Sequence, residues 1–433
     1  MFHLKENNTT IKTEITAGMT TFLTMAYIVI VNPVILGAAG VPFDQVFLAT
    51  IIAAAIGTLW MALAANYPIA IAPGMGLNAY FTSMVLGSNG AIDYVTAFAA
   101  VFVAGLIFVA LSLTSMRKVL IEAIPENLKH AITAGIGLFI AFIGMRLSGL
   151  IVANEANLVG LGDLTSPPVA LTLLGLLVTV IFMSLKIHGG IFYGMIVTGI
   201  VAFFTGQLKF EGSLMQLPSL PEGILVWNPI EAFQLVIQYG LYGVVFSFLL
   251  VTLFDTTGTM IGVAKQAGLM KNNKMPRMRQ ALLADSLAAT AGAMVGTSPT
   301  SAYVESSAGV AAGGRTGLTS LTVAILFIMA AFFGPLVGAL SNVAAITAPA
   351  LIIVGSLMIG AVKQIDWEEF DEAFPAFLIV LAMPLTSSIA TGIAFGFITY
   401  PLMKVFVGKG KSVHPILYIF AVLFVIQLLI APH

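Results

Sequence analysis

IAIAPGMGLNAYF at residues 69–81 and GTSPTSAYVESSAG at residues 296–309 are the two places where a succession of apolar helices changes character. Each opens as a short extended stretch, runs into a proline (Pro73, Pro299) and resumes as a short helix. Long charge-free runs surround both: residues 15–43 and 45–92 for the first, 286–304 and 316–362 for the second. Backbone N–H and C=O groups cannot go unpaired in hydrocarbon. A break at that depth is tolerated only where other protein or a water-filled cavity satisfies it.

Working outward from these breaks gives the architecture. A helix needs ~20 mostly apolar residues to span the hydrocarbon, and the runs accommodate about fourteen crossings, with splits at Asn66-Tyr67-Pro68, near Ser341-Asn342 and around residues 388–392. The two breaks then fall in the third and tenth crossings, equivalent places in a seven-plus-seven division. An odd number of helices per half reverses the second half, and paired interrupted helices in inverted halves point to a binding site. The fold expected is an all-α integral membrane protein, one transporter domain over residues 1–433. Its repeats cover residues 12–207 and 230–408, with an extra apolar segment at 412–433.

Composition agrees. Hydrophobic residues make up 59% of the 433, charged residues 9%, and mean hydropathy is +1.03. A soluble domain carries roughly 25% charge. A net charge of −1 gives no electrostatic case for nucleic acid. The absence of cysteine excludes disulfides and thiolate metal sites. Residues 1–14 are polar and lack the features of a secretory signal, so the first apolar segment reads as a retained helix. Lys5, Lys12, Arg117, Lys118, Lys129, the run from Lys265 to Arg279, and Lys404, Lys409 and Lys411 fall on one side. Asp44, Asp93, Glu155, Asp163, Glu211 and Glu222 fall on the other. The positive-inside rule therefore puts the N-terminus in the cytoplasm.

Few residues can carry chemistry. Asp255 closes the charge-free run 232–254, and Glu305 sits in the second break. A carboxylate at bilayer depth costs ~2.5–3.5 kcal/mol even on the lenient scale, and such residues mark substrate or proton paths. Asp285, six residues past Arg279, fits either the interface or the interior. Asn78 offers a donor and an acceptor to a flat heterocycle, and Tyr80, Phe81 and Tyr303 offer ring faces. Gly74 and Gly76 let a helix N-terminus approach a ligand closely. GMGLNA matches a dinucleotide fingerprint but lacks its strand–turn–helix context. Gly309, Gly313 and Gly317 suggest a small-residue packing face. Neither metal-ligand spacing nor a nucleophile–base pair appears, so neither a metal, a cofactor nor an enzymatic activity is expected.

These stretches also carry a resemblance. APGMGLNAYF (72–81), LFDTTGTMIGVAKQAGL (253–269), ALLADS (281–286) and TSPTSAYVESSAGVAAGGRTGL (297–318) resemble the AzgA-like purine permeases, a branch of the nucleobase–cation symporter-2 family. The resemblance covers essentially the whole chain. It implies core and gate domains, with a purine base (guanine or hypoxanthine) held between the half-helices beside the eighth crossing and moved by proton symport. By position it assigns substrate contacts to Asp255, Glu305 and Asn78, with Gly76, Thr259, Tyr80, Phe81 and Tyr303 around them. Proton coupling would fall to Glu305, Asp255 and Asp285. It also implies a bacterial inner-membrane location and leaves a homodimer open. Thr252 stands where several purine members have a first acid of a D-x-x-D-T-x-G-T pattern. An adenine-preferring permease and an inorganic-anion carrier of the same architecture are the rival readings.

Overall fold

The computed structural model describes residues 2–114, 123–210, 212–218, 220–271 and 274–430. Arg117, Lys118, Glu211 and the end of the last apolar segment lie outside the described residues. The chain is helical along most of its length, and nine helices among the described residues are long and apolar enough to cross a membrane.

The first half runs α1 (Ile11–Met25), α2 (Ile28–Gly37), α3 (Phe43–Trp60, prolonged by a π turn), β1 (Ile71–Pro73), α4 (Met75–Gly87), α5 (Tyr94–Leu113) and α6 (Glu126–Leu147). An exposed hairpin of β2 (Ile151–Asn154) and β3 (Leu158–Leu161) leads to α7 (Pro167–Ser184) and α8 (Gly190–Phe204). The second half contains α9 (Pro229–Gln238), α10 (Tyr242–Gln266), α11 (Met278–Val295), β4 (Thr300–Ala302) and α12 (Ser306–Ala311). It continues through α13 (Gly317–Ala330), α14 (Gly334–Ser341), α15 (Ala344–Met358), α16 (Phe370–Thr386), α17 (Ile389–Phe406) and α18 (Pro415–Ile430). Several sequence splits reappear as backbone breaks: Asn66 and Ser387 both adopt the left-handed conformation, with φ of 53° and 51°.

Packing sorts most of these helices into two groups. In one, α3 and α5 lie against α11, α1 and α3 against α13. In the other, α6 packs on α15 and α16, α16 on α17, and α7 on α8 and α15. Close approach relies on small residues, as expected where lipid offers no hydrophobic drive between helices. A Cβ on Gly317 would stand 2.1 Å from the Ala62 carbonyl oxygen, and one on Gly309 2.0 Å from Thr21 Oγ1. The anticipated three-glycine face does not form, however. Gly309 belongs to α12, Gly313 turns between helices with φ +104°, and Gly317 opens α13.

At the centre, β1 and β4 pair antiparallel, Ile71 opposite Ala302, Ala72 opposite Ser301 and Pro73 opposite Thr300. This ribbon is too short to satisfy its own backbone, so neighbouring groups complete it. Thr58 Oγ1 both accepts from Ile71 N and donates to Ile71 O, each at 3.0 Å. Ser306 Oγ accepts from Ala70 N at 3.0 Å, and Gly74 N donates to Pro299 O at 3.0 Å. Ser320 Oγ donates to the carbonyls of Tyr67 and Ile69 at 2.7 and 2.9 Å. Hydroxyls from other helices thus pair several of the backbone groups that the short ribbon leaves over.

Candidate functional site

Where β1 passes into α4, the backbone opens a helix with no side-chain cap at Gly74. The first N–H groups of a helix have no intrahelical partner, and the aligned peptide dipoles make this end attractive to electron-rich ligand atoms. Facing it, a cleft of about 370 Å³, counting its open mouth, is bounded by Gly74, Gly76 and Leu77 of α4. Its other walls are α6 (Lys129, Ile132, Thr133, Ile136), α10 (Val251, Phe254, Asp255) and Met358. Gly76 is required here: a Cβ would sit 2.2 Å from Ile136 Cγ2.

Asp255 is the acid on the cleft wall, and Ser301 of β4 is its neighbour. Asp285 is held by Thr300 of β4, and Glu305 follows β4 by three residues, so these acids and Asp255 stand around the β1–β4 crossing. Their settings differ. Glu305 is half-buried and accepts a hydrogen bond from Tyr27 Oη at 2.6 Å. Asp285 is fully buried: Thr300 Oγ1 donates to Oδ1 at 2.6 Å and Thr256 Oγ1 donates to Oδ2. Thr256 Oγ1 also accepts from Ala302 N at 3.3 Å. Asp285 therefore ties α10, α11 and β4 together in the protein interior.

Asn78 is fully buried and its Oδ1 accepts from Ser298 Oγ. Among the described residues its Nδ2 has no hydrogen-bond partner. A hydroxyl can serve either end of an amide, so one end of Asn78 is unpaired in either orientation. Thr259 is half-buried one turn beyond Asp255 on α10.

The aromatic residues are placed differently from a stacking platform. Phe81 stacks on Phe98 with centroids 4.5 Å apart, and Tyr80 packs on Phe248 at 4.9 Å. Tyr303 is buried and its hydroxyl donates to the Pro73 carbonyl at 2.6 Å, bracing one broken span against the other. Lys129, read from the sequence as a loop charge, is in the first turn of α6 and lines the cleft. The partners that sequence reasoning missed are Tyr27, Thr256, Ser298, Thr300 and Ser301. All are common residue types in membrane helices, and only the long-range pairing of β1 with β4 singles them out.

Comparison with known proteins identifies the family. A model of the Permease family, Xan_ur_permease, matches residues 12–395. The chain is 67% identical over 431 residues to the guanine/hypoxanthine permease PbuO of Bacillus subtilis (strain 168), covering 99% of this chain and all of that one. It is 48% identical to the guanine/hypoxanthine permease PbuG of the same strain, covering 98% of each. Among solved structures, the transmembrane domain of the cyanobacterial bicarbonate transporter BicA superposes with a TM-score of 0.63 at 17% identity, covering 88% of this chain and 97% of that one. That likeness is one of fold, the seven-plus-seven architecture of membrane transporters. With a family match over most of its length, multiple apolar helices and two broken spans crossing at its centre, the chain belongs to the xanthine/uracil permease family of multi-pass membrane transporters.

Proposed function

We propose that this protein takes up a purine base, guanine or hypoxanthine, across a bacterial inner membrane by proton symport with alternating access. The observation that carries the reading is the setting of Asp255. A lone carboxylate and the uncapped start of α4 face one another across a cleft, offering an acceptor for ring N–H groups and donors for ring nitrogens and carbonyls. The names of the relatives PbuO and PbuG support the choice of guanine and hypoxanthine. Glu305 and the free end of the Asn78 amide take further edges of the base as the site rearranges around it. At least one of Asp255, Glu305 and Asp285 couples its protonation to binding.

In this reading the two packed groups are a core and a gate, built from inverted repeats at residues 12–207 and 230–408, with 412–433 outside them and the N-terminus cytoplasmic. One face of α6 lines the inner cleft through Lys129, Ile132, Thr133 and Ile136. The same face lines a second cleft, at the far end of α4, through Phe139, Phe142, Ile143 and Arg146. The α4–α6 seam, where Gly76 lies against Ile136, is the passage, and rocking of the gate opens one end while closing the other. An anion carrier of similar fold is disfavoured by the carboxylate on the cleft wall, which repels an anion.

Uptake of labelled hypoxanthine into cells, with competing purines, pyrimidines, sulfate and bicarbonate, tests the proposal. Guanine and hypoxanthine should compete, and a protonophore should abolish accumulation. Competition by adenine alone or by the anions would overturn the substrate assignment, and accumulation insensitive to the protonophore would overturn the coupling.

A further inference from the structure

Lys129 has no place in the substrate contacts drawn above, yet its position is unusual for a lysine. Its side chain is only 15% exposed, and its Nζ sits 2.7 Å from Glu126 Oε1. The same ammonium lies over the Phe254 ring, 5.7 Å from the centroid. Phe254 immediately precedes Asp255, and both line the cleft with Lys129. The contact therefore spans from α6, in one packed group, to α10, which packs chiefly on α5 of the other.

The base of α6 is itself anchored to the first of these groups. Asn127 Nδ2 donates to Glu372 Oε2 at 2.7 Å, and Asn127 Oδ1 accepts from Asp366 N at 3.0 Å. Glu372 Oε1 lies 2.6 Å from Lys404 Nζ and accepts from Tyr400 Oη at 3.1 Å. Lys404 also bonds Asp371 at 2.7 Å. These contacts fix the start of α6 to α16 and α17. By contrast, the aromatic ring beneath Lys129 can be left without leaving an unpaired charge, because Glu126 stays with the lysine on its own helix.

We propose that Lys129 and Phe254 form a lid over the inner mouth of the substrate cleft, a cation–π contact that breaks when the two helix groups separate there. The inference rests on the reading of the α4–α6 seam as the passage. A cation over an aromatic face gives an attraction strong enough to bias closure and weak enough to release in each cycle. The flexible lysine stem can swing aside with its ammonium still paired.

The chain has no cysteine, so a single introduced thiol reports one position without background. Thr133→Cys places it on the cleft wall one turn beyond Lys129. Its labelling by a membrane-impermeant maleimide, applied to the inner face in inside-out vesicles without any base, reads closure independently of what is transported. Lys129→Met, which keeps the stem, and Phe254→Leu, which keeps apolar bulk, should each raise the labelling rate about two- to fivefold, the weight of one partly exposed cation–π contact. Lys129→Arg should restore the parental rate, and the double variant should rise no further than either single one. Unchanged labelling in both single variants, or strictly additive increases, would overturn the lid. Failure of guanine or hypoxanthine to be taken up by the parent protein would instead count against the function proposed above while leaving this result intact.

Discussion

At the scale of single residues, Gly76 shows how little room the seam allows. Its absent side chain lets α4 come close enough to α6 that Ile136 Cγ2 occupies the space a Cβ would take. Gly76→Ala should therefore reduce uptake strongly and destabilise the protein by about 1–3 kcal/mol, the usual cost of overpacking. Adding Ile136→Leu, which removes the methyl from Cβ, should recover part of both losses in uptake assays and thermal melts in detergent. No recovery would mean that the glycine matters for something other than the approach. The carboxylates were legible as isolated charges in apolar sequence, because charge at that depth is rare whatever the fold. Their partners were not. Ser301 beside Asp255 and Tyr27 on Glu305 are ordinary residue types in apolar sequence until the fold brings distant segments together. Asp285 was ambiguous for a related reason: its distance from Arg279 along the chain gives no depth, whereas its two threonine partners bury it.

Among elements, hydroxyls and acids from one helix complete the backbone of another. Glu14 of α1 is buried and reaches the start of α13, accepting from Arg315 N at 2.9 Å, Thr316 N at 3.2 Å and Thr319 N at 3.2 Å. Thr319 Oγ1 adds a bond at 2.6 Å. An acid from a separate helix thus satisfies free N–H groups at a positive helix end. Glu14→Ala should cost about 1.5–3 kcal/mol, the range for bonds to a charged group, read as a lowered melting temperature in detergent. Tyr303→Phe, which removes the brace to the Pro73 carbonyl, should cost about 1 kcal/mol by the same measurement. Melting temperatures indistinguishable from the parent would remove these contacts from the account. The breaks were visible in the sequence because Pro and Gly interrupt charge-free runs. The register Ile71–Ala302 was not, since it depends on which hydroxyls from elsewhere can close the ribbon.

For the whole molecule, the central question is whether the two packed groups move against each other. An ideal Cβ on Gly76 lies 3.5 Å from Ile136 Cβ, within the span of a disulfide. The paired substitutions Gly76→Cys and Ile136→Cys should stop transport on oxidation and restore it on reduction. Transport continuing through a fully cross-linked seam would exclude relative movement there. Composition and the long apolar runs revealed a membrane protein; the assignment of helices to two groups needed the packing itself. The most direct test of the account compares uptake of labelled hypoxanthine into proteoliposomes by the parent protein, Asp255→Asn and Glu305→Gln, under an inward proton gradient. Loss of a hydrogen bond to a charged group is worth about 1.5–3 kcal/mol, roughly 10–100-fold in apparent affinity. The account predicts properly inserted variants with uptake reduced by at least that factor, whereas parental affinity and parental gradient dependence in both would contradict it.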